Sequence, residues 1–260
     1  MSTRLAQVFE RCRAQGRAAL VGYLTAGDPN PQQSRELLLT LAAHCDIIEI
    51  GMPFIADMRA LAAGTHISDV FELSRVVRQV NPDMGIVLMG YANVPFAMGF
   101  ELFSERAAAA GVDGVLIVDI PPEEGAICDA AFKAHALDRI LLLSPTSPDE
   151  RIRLACDEGS GFLYYVSLTG ITGADMGDIN DIRSKVAHIR SLSGMPVCVG
   201  FGIKTAAQAA EVAAFADGVV VGSHFVSQIA ANSDADAALE ALDASAAAMQ
   251  AATSGFQLEA

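Results

Sequence analysis

Eight short apolar runs constrain this chain more than any other feature. They lie at 19–25, 46–51, 85–89, 114–119, 139–143, 162–167, 196–200 and 218–221. Between most of them run Ala-, Leu-, Glu- and Arg-rich stretches that suit helices, at 32–44, 70–80, 100–110, 123–135, 179–191 and 206–215, with a last one at 236–251. Nearly continuous apolar strands have both faces covered, which is the mark of a parallel sheet under helices. Eight such units predict a closed (β/α)8 barrel occupying residues 1–260 as a single α/β domain. The open doubly wound alternative needs a Gly-rich turn after the first strand, and "LTAGDPN" matches it poorly. An amphipathic helix at 1–16 precedes the barrel.

A chain that is 52 % hydrophobic has ample material for such a core. Its 31 acidic residues against 17 Lys+Arg give a formal charge of −14, which disfavours general attraction to nucleic acid or anionic membranes. Backbone amides can still hold a phosphate against that field. The five cysteines are odd in number and have no CxxC spacing, so they are read as buried thiols of a reducing compartment. With no secretory signal and no apolar span near 20 residues, a cytoplasmic protein is expected.

In "IIEIGMPF" a carboxylate, Glu49, interrupts an apolar run. Burial would make its ionisation costly. A barrel assembles its chemistry at the C-terminal ends of the strands, where Glu49 closes the second run and Asp119 closes the fourth. A strand-end acid can act on a substrate or hold loop amides, and both readings stay open for Asp119. After the last three strands come "TGITGAD", "VGFGIK" and "VVVGSHF". Their glycines bring backbone amides close to an anion, and Ser223 can donate a further hydrogen bond or open a helix. A phosphate-bearing ligand is expected there. His224 follows that turn as either a ligand contact or a packing residue. The histidines show no metal-ligand spacing, so no metal is expected. Cys198 has no base beside it in sequence and is read as barrel filling.

The chain resembles the tryptophan synthase alpha chain family. The likeness rests on "LVGYLTAGDPN" at 20–30, "DIIEIGMPF" at 46–54, "GYANVPF" at 90–96, "GVDGVLIVDIPPEE" at 111–124, "YYVSLTGITGA" at 164–174, "PVCVGFGI" at 196–203 and "GVVVGS" at 218–223. It spans nearly the whole chain in order. The resemblance implies a lyase that cleaves indole-3-glycerol phosphate into indole and glyceraldehyde 3-phosphate. It gives Glu49 the role of catalytic acid/base and puts Tyr23, Tyr164 and Thr172 beside the substrate. Gly173, Gly202, Gly222 and Ser223 fall in its phosphate-binding surroundings, and Asp119 in loop positioning. It further implies no cofactor in this chain, and a beta chain partner, carrying pyridoxal phosphate, in an alpha2-beta2 assembly.

One departure qualifies this. After "GMPF" the family carries a longer loop, of the form "SDPxADGPxIQ", with a second catalytic aspartate; here the chain reads "GMPFIADMRALAAG". Asp57 is nearby, but "IADM" matches the far side of the gap. The departure implies an alternative: a catalytically impaired protein that binds a phosphate ligand and acts structurally or allosterically on the beta chain.

Overall fold

A computed structural model describes residues 3–54, 58–166, 178–200, 202–232 and 234–254. The parallel strands are β1 (Ala19–Thr25), β2 (Ile47–Gly51), β3 (Gly85–Gly90), β4 (Gly114–Ile117), β5 (Asp138–Arg139), β6 (Leu141–Leu143), β7 (Leu163–Val166), β8 (Val197–Gly200) and β9 (Gly218–Val221). They form one sheet in the order β5-β4-β3-β2-β1-β9-β8-β7-β6. Its two end strands are separated in sequence by Ile140 alone, so the chain itself closes the ring. The expected fifth strand is therefore two half-strands. β5 pairs with β4, and β6 pairs with β7. This is the (β/α)8 barrel, with the fifth strand divided where it turns from one neighbour to the other.

The helices are α1 (Arg4–Ala14), α2 (Pro31–Ala42), α3 (Met58–Ala62), α4 (Ile67–Val80), α5 (Asn93–Met98), α6 (Phe100–Ala109), α7 (Asp129–Ala134), α8 (Asp149–Glu158), α9 (Ile179–Leu192), α10 (Ala206–Ala213), α11 (Ser223–Ala231) and α12 (Ala235–Thr253). Their starts follow local chemistry. The Asn30 side chain accepts from Gln33 N–H and Pro31 opens α2, while Thr205 and Gln208 form a reciprocal capping box at α10.

The helix expected at 123–135 is broken instead. A 3₁₀ segment, Pro122–Ile127, precedes α7. Beneath the break lies the buried Arg139, whose guanidinium donates to the Pro121 carbonyl at 3.0 Å and to Asp129 at 3.0 Å. A β-carbon at Gly125 would stand 2.0 Å from that guanidinium. A tertiary cation thus overrides local helix propensity.

Strand alternation divides the core in two. Outward residues such as Leu20, Ile48, Leu88, Val115 and Val199 pack under the helices. Inward residues Ala19, Val21, Ile47, Val87, Leu116, Ile140, Phe162, Cys198 and Val220 fill the barrel. The expected packing role of Cys198 is its observed one. Helix α1 closes the N-terminal end by inserting Leu5, Val8, Phe9 and Cys12 into that inner cluster. No helix among the described residues is long and apolar enough to cross a membrane.

Candidate active site

Glu49 points into the barrel. On β1 and β2 the inward positions are Val21 and Tyr23, and Ile47 and Glu49, with Tyr23 in register beside Glu49. The carboxyl group is 1 % exposed and neither oxygen has a hydrogen-bond partner among the described residues. Burial alone pushes its pKa from 4.5 up to about 8. At neutral pH it therefore keeps its proton, which is the form a general acid requires.

The space above Glu49 comes from missing side chains. The next inward position on β2 is Gly51, and on β8 it is Gly200. A β-carbon on Gly51 would stand 2.2 Å from the Tyr23 hydroxyl, and one on Gly200 would stand 2.5 Å from the Tyr164 hydroxyl. Each glycine thus makes room for a tyrosine from another strand. Tyr164 is buried, and both burial and the nearby Glu49 carboxylate hold its phenol well above its usual pKa. The Tyr23 hydroxyl lies 3.1 Å from Thr25 Oγ1. Met89, Val118, Leu142 and Val166 complete an apolar wall, partly open at the mouth. The sequence reading does not single out Gly51, Gly200 or Thr25; counting every second strand residue inward from Glu49 and Cys198 reaches both glycines.

Of the expected phosphate residues, Gly222 and Ser223 lie beside this mouth. Gly222 occupies the N-cap of α11, and Ser223 begins that helix. A β-carbon on Gly222 would come within 3.3 Å of Tyr23, so the helix start lies against the same pocket. Gly202, at φ +86°, makes the turn after β8 in a conformation that L side chains rarely adopt. The amide end of α11 and its dipole suit an anion there. Thr172, Gly173 and Asp57 lie outside the described residues.

Other candidates separate from the pocket. Asp119 is exposed, and its carboxylate accepts from the Ala92 N–H at 2.8 Å, pinning the loop that leads into α5. His224 turns away toward α12, with Nε2 2.8 Å from Ser245 Oγ, and burial lowers its pKa. Among the described residues no group of three or more His, Cys, Asp or Glu could hold a metal ion.

A family profile described as "Tryptophan synthase alpha chain" matches residues 9–254. The chain belongs to the tryptophan synthase alpha chain family. The alpha chain of Marinobacter nauticus is 44 % identical over 253 residues, covering 92 % of this chain and 94 % of that one. That of Nitrosococcus oceani is 46 % identical over 239 residues, covering 87 % and 88 %. Among solved structures, a Mycobacterium tuberculosis tryptophan synthase chain superposes with a TM-score of 0.90 at 33 % identity, over 100 % of both chains. The alpha subunit of Legionella pneumophila gives 0.88 at 34 %, over 97 % and 99 %.

The Marinobacter alignment is longer than the portion of this chain it takes in, so that alpha chain carries residues missing here. The connection from β2 to α3 is short, running from Gly51 to Met58. Phe54 stacks on Tyr91 with ring centroids 3.9 Å apart, and α3 begins at Met58. Arg59 of α3 then donates to Asp28 at 2.6 Å, tying this segment to the loop after β1. The family assignment brings with it tryptophan biosynthesis and lyase chemistry of this class.

Proposed function

We propose that this chain cleaves indole-3-glycerol phosphate into indole and glyceraldehyde 3-phosphate, with Glu49 as the acid and base. The carrying observation is the buried, unpartnered Glu49 carboxyl, raised to about 8, beneath a glycine-lined mouth. Bond breaking needs a proton delivered to the indole carbon that bears the side chain. It also needs a proton removed from the hydroxyl on the adjacent carbon. As the carbon–carbon bond breaks, its electron pair returns to the ring and the hydroxyl carbon becomes the aldehyde. One proton is given and one is taken back, so a single carboxyl near pKa 8 can serve both steps. Phosphate held by the Gly202 turn and the Gly222–Ser223 helix start would fix the substrate away from the reacting bond. Thr172 and Gly173 join this reading on the family resemblance.

A tryptophan synthase beta chain is the proposed partner, in an alpha2-beta2 assembly, and any pyridoxal phosphate belongs to that chain. No cofactor is proposed for this one. A second reading is favoured by the short connection after β2. A positive charge develops on the indole nitrogen during protonation, and the family's second aspartate would offset it. Among the described residues, burial is the cause of the Glu49 shift. A protein that binds the phosphate ligand and adjusts the beta chain, with little turnover of its own, would have this character.

Indole release from indole-3-glycerol phosphate, measured with and without beta chain, separates the two readings. Release abolished by Glu49→Gln supports the lyase. Ligand binding that alters the beta chain's rate, with no indole above background, supports the second reading. If the chain does neither, both are wrong.

A further inference from the structure

We infer that His224 is a positioning residue for the phosphate end of the substrate: through Ser245 it fastens the first turn of α11 to α12. The inference rests on the phosphate placement proposed above and adds to it what holds that turn in place. Backbone amides bind a phosphate only as well as they are aimed, because a hydrogen bond weakens steeply as the N–H leaves the line to its acceptor. The start of α11 therefore needs a fixed position and a fixed rotation. Its N-cap, Gly222, has no side chain with which to set either.

Packing holds α11 on the barrel through Phe225 and Ile229, which are buried one helical turn apart. Apolar packing has no direction, so it sets which face is inward and tolerates small shifts along the surface. A hydrogen bond has a direction as well as a length. His224, the second residue of α11, supplies one: its Nε2 lies 2.8 Å from Ser245 Oγ. Ser245 stands on α12, which is 19 residues long and is itself firmly seated. Its residues Ala238, Leu242, Ala246 and Met249 are buried, and His44 at the end of α2 lies 2.8 Å from Asp243. The anion-facing turn is thereby tied to a helix anchored along most of its length. Burial lowers the His224 pKa, so the ring is neutral at pH 7. Either neutral tautomer can bond to a hydroxyl, which both donates and accepts. What His224 gives the phosphate is aim, not charge.

The test is a titration calorimetry series on the intact chain with a non-cleavable indol-3-yl alkyl phosphate and the corresponding alcohol, which keeps the ring and spacer and lacks the phosphate. His224→Ala and Ser245→Ala are each expected to weaken the phosphate ligand by about fivefold, the value of one well-made hydrogen bond. The double variant should be no weaker than either single one, because the two changes remove the same bond. The alcohol should bind all of them as it binds the unaltered chain. His224→Gln, whose amide nitrogen can reach where Nε2 stands, should restore the phosphate affinity. In turnover of indole-3-glycerol phosphate the loss should appear in KM and not in kcat. Unchanged phosphate affinity in His224→Ala would overturn this inference alone. So would losses that multiply in the double variant, an equal loss for the alcohol, or no recovery in His224→Gln. An unaltered chain that binds phosphate and alcohol equally would overturn the phosphate placement, and this inference with it.

Discussion

The two ends of the barrel obey opposite rules. At the N-terminal end the three acids that immediately precede β2, β4 and β9 are matched, although Asp138, which begins β5, keeps one buried oxygen without a described partner. Asp46 takes a two-pronged bond from Arg17 at 2.7 Å and accepts the Leu20 N–H at 2.9 Å. Asp113 pairs with Arg4 and Arg78 and accepts the Ile86 N–H at 2.8 Å. Asp217 pairs with Arg190 at 2.8 Å and accepts the Val197 N–H at 2.9 Å. Each of these aspartates immediately precedes a strand and ties it to a neighbouring strand, while α1 seals the centre with apolar side chains. At the C-terminal end the buried Glu49 has no hydrogen-bond partner among the described residues, and glycines replace core side chains. One end pairs these acids with arginines; the other leaves Glu49 without a hydrogen-bond partner among the described residues. A buried carboxyl with both oxygens unsatisfied at a strand's C-terminal end is a candidate for function.

The sharpest way to break this contrast is Glu49→Gln. Indole release should fall by about a thousandfold or more, because no other described group is placed to exchange the proton. The same variant should be the more stable protein at alkaline pH. In the unaltered chain the folded-state pKa is raised, so between pH 4.5 and about 8 the folded form holds a proton that the unfolded form releases. Stability is then fullest below pH 4.5 and falls as pH rises through about 8. The difference from Glu49→Gln should grow across that window toward an upper limit of roughly 5 kcal/mol, read by denaturant unfolding at several pH values. Turnover should fall on the same alkaline limb as the acid form of Glu49 is lost.

Arg78→Ala tests the other end. It leaves Asp113 buried and short of its 2.6 Å partner, and strips donors from the Gly111 and Met84 carbonyls. A loss of about 3 kcal/mol in urea unfolding is expected, with ligand affinity at 25 °C unchanged. Gly51→Ala sharpens the comparison from within the mouth. Its β-carbon would displace the Tyr23 hydroxyl, costing about 2 kcal/mol and weakening the indole phosphate ligand. Last, Arg75→Ala removes an exposed i,i+3 partner of Glu72 on α4. Unfolding should move by less than about 0.5 kcal/mol, which sets the scale for a surface pair that belongs to neither end.

Much of the architecture was legible because both faces of each strand are covered. Runs such as "IIEIG" and "GVVVG" stay apolar through inward and outward positions, and that marks parallel strands beneath helices. The N-terminal plug was legible as an amphipathic helix, although not its place inside the ring. Short helices escaped the reading: α3 and α5 have five and six residues, too few for a periodic pattern to emerge. Glu49 was legible as a polar interruption at a strand end. His224 was adjacent in sequence to the expected phosphate turn, but the first turn of α11 rotates its ring toward Ser245 on α12.

The sequence by itself determined the number of strand units, their parallel character, the position of the one acid interrupting β2 and the brevity of the connection that follows. These are properties of local order: period, polarity and spacing along the chain. The tertiary structure decided what faces what. The break at 123–135 depends on Arg139 from the next strand, the split of the fifth strand on its two different neighbours, and the open mouth on glycines set against tyrosines of other strands. Closing the ring brings Tyr23, Glu49, Tyr164 and Gly222 into one space although they span most of the chain, and removes Glu49 from water and from any hydrogen-bond partner among the described residues. Its raised pKa is a consequence of that enclosure, because desolvation acts through everything packed around a group and not through its neighbours in sequence.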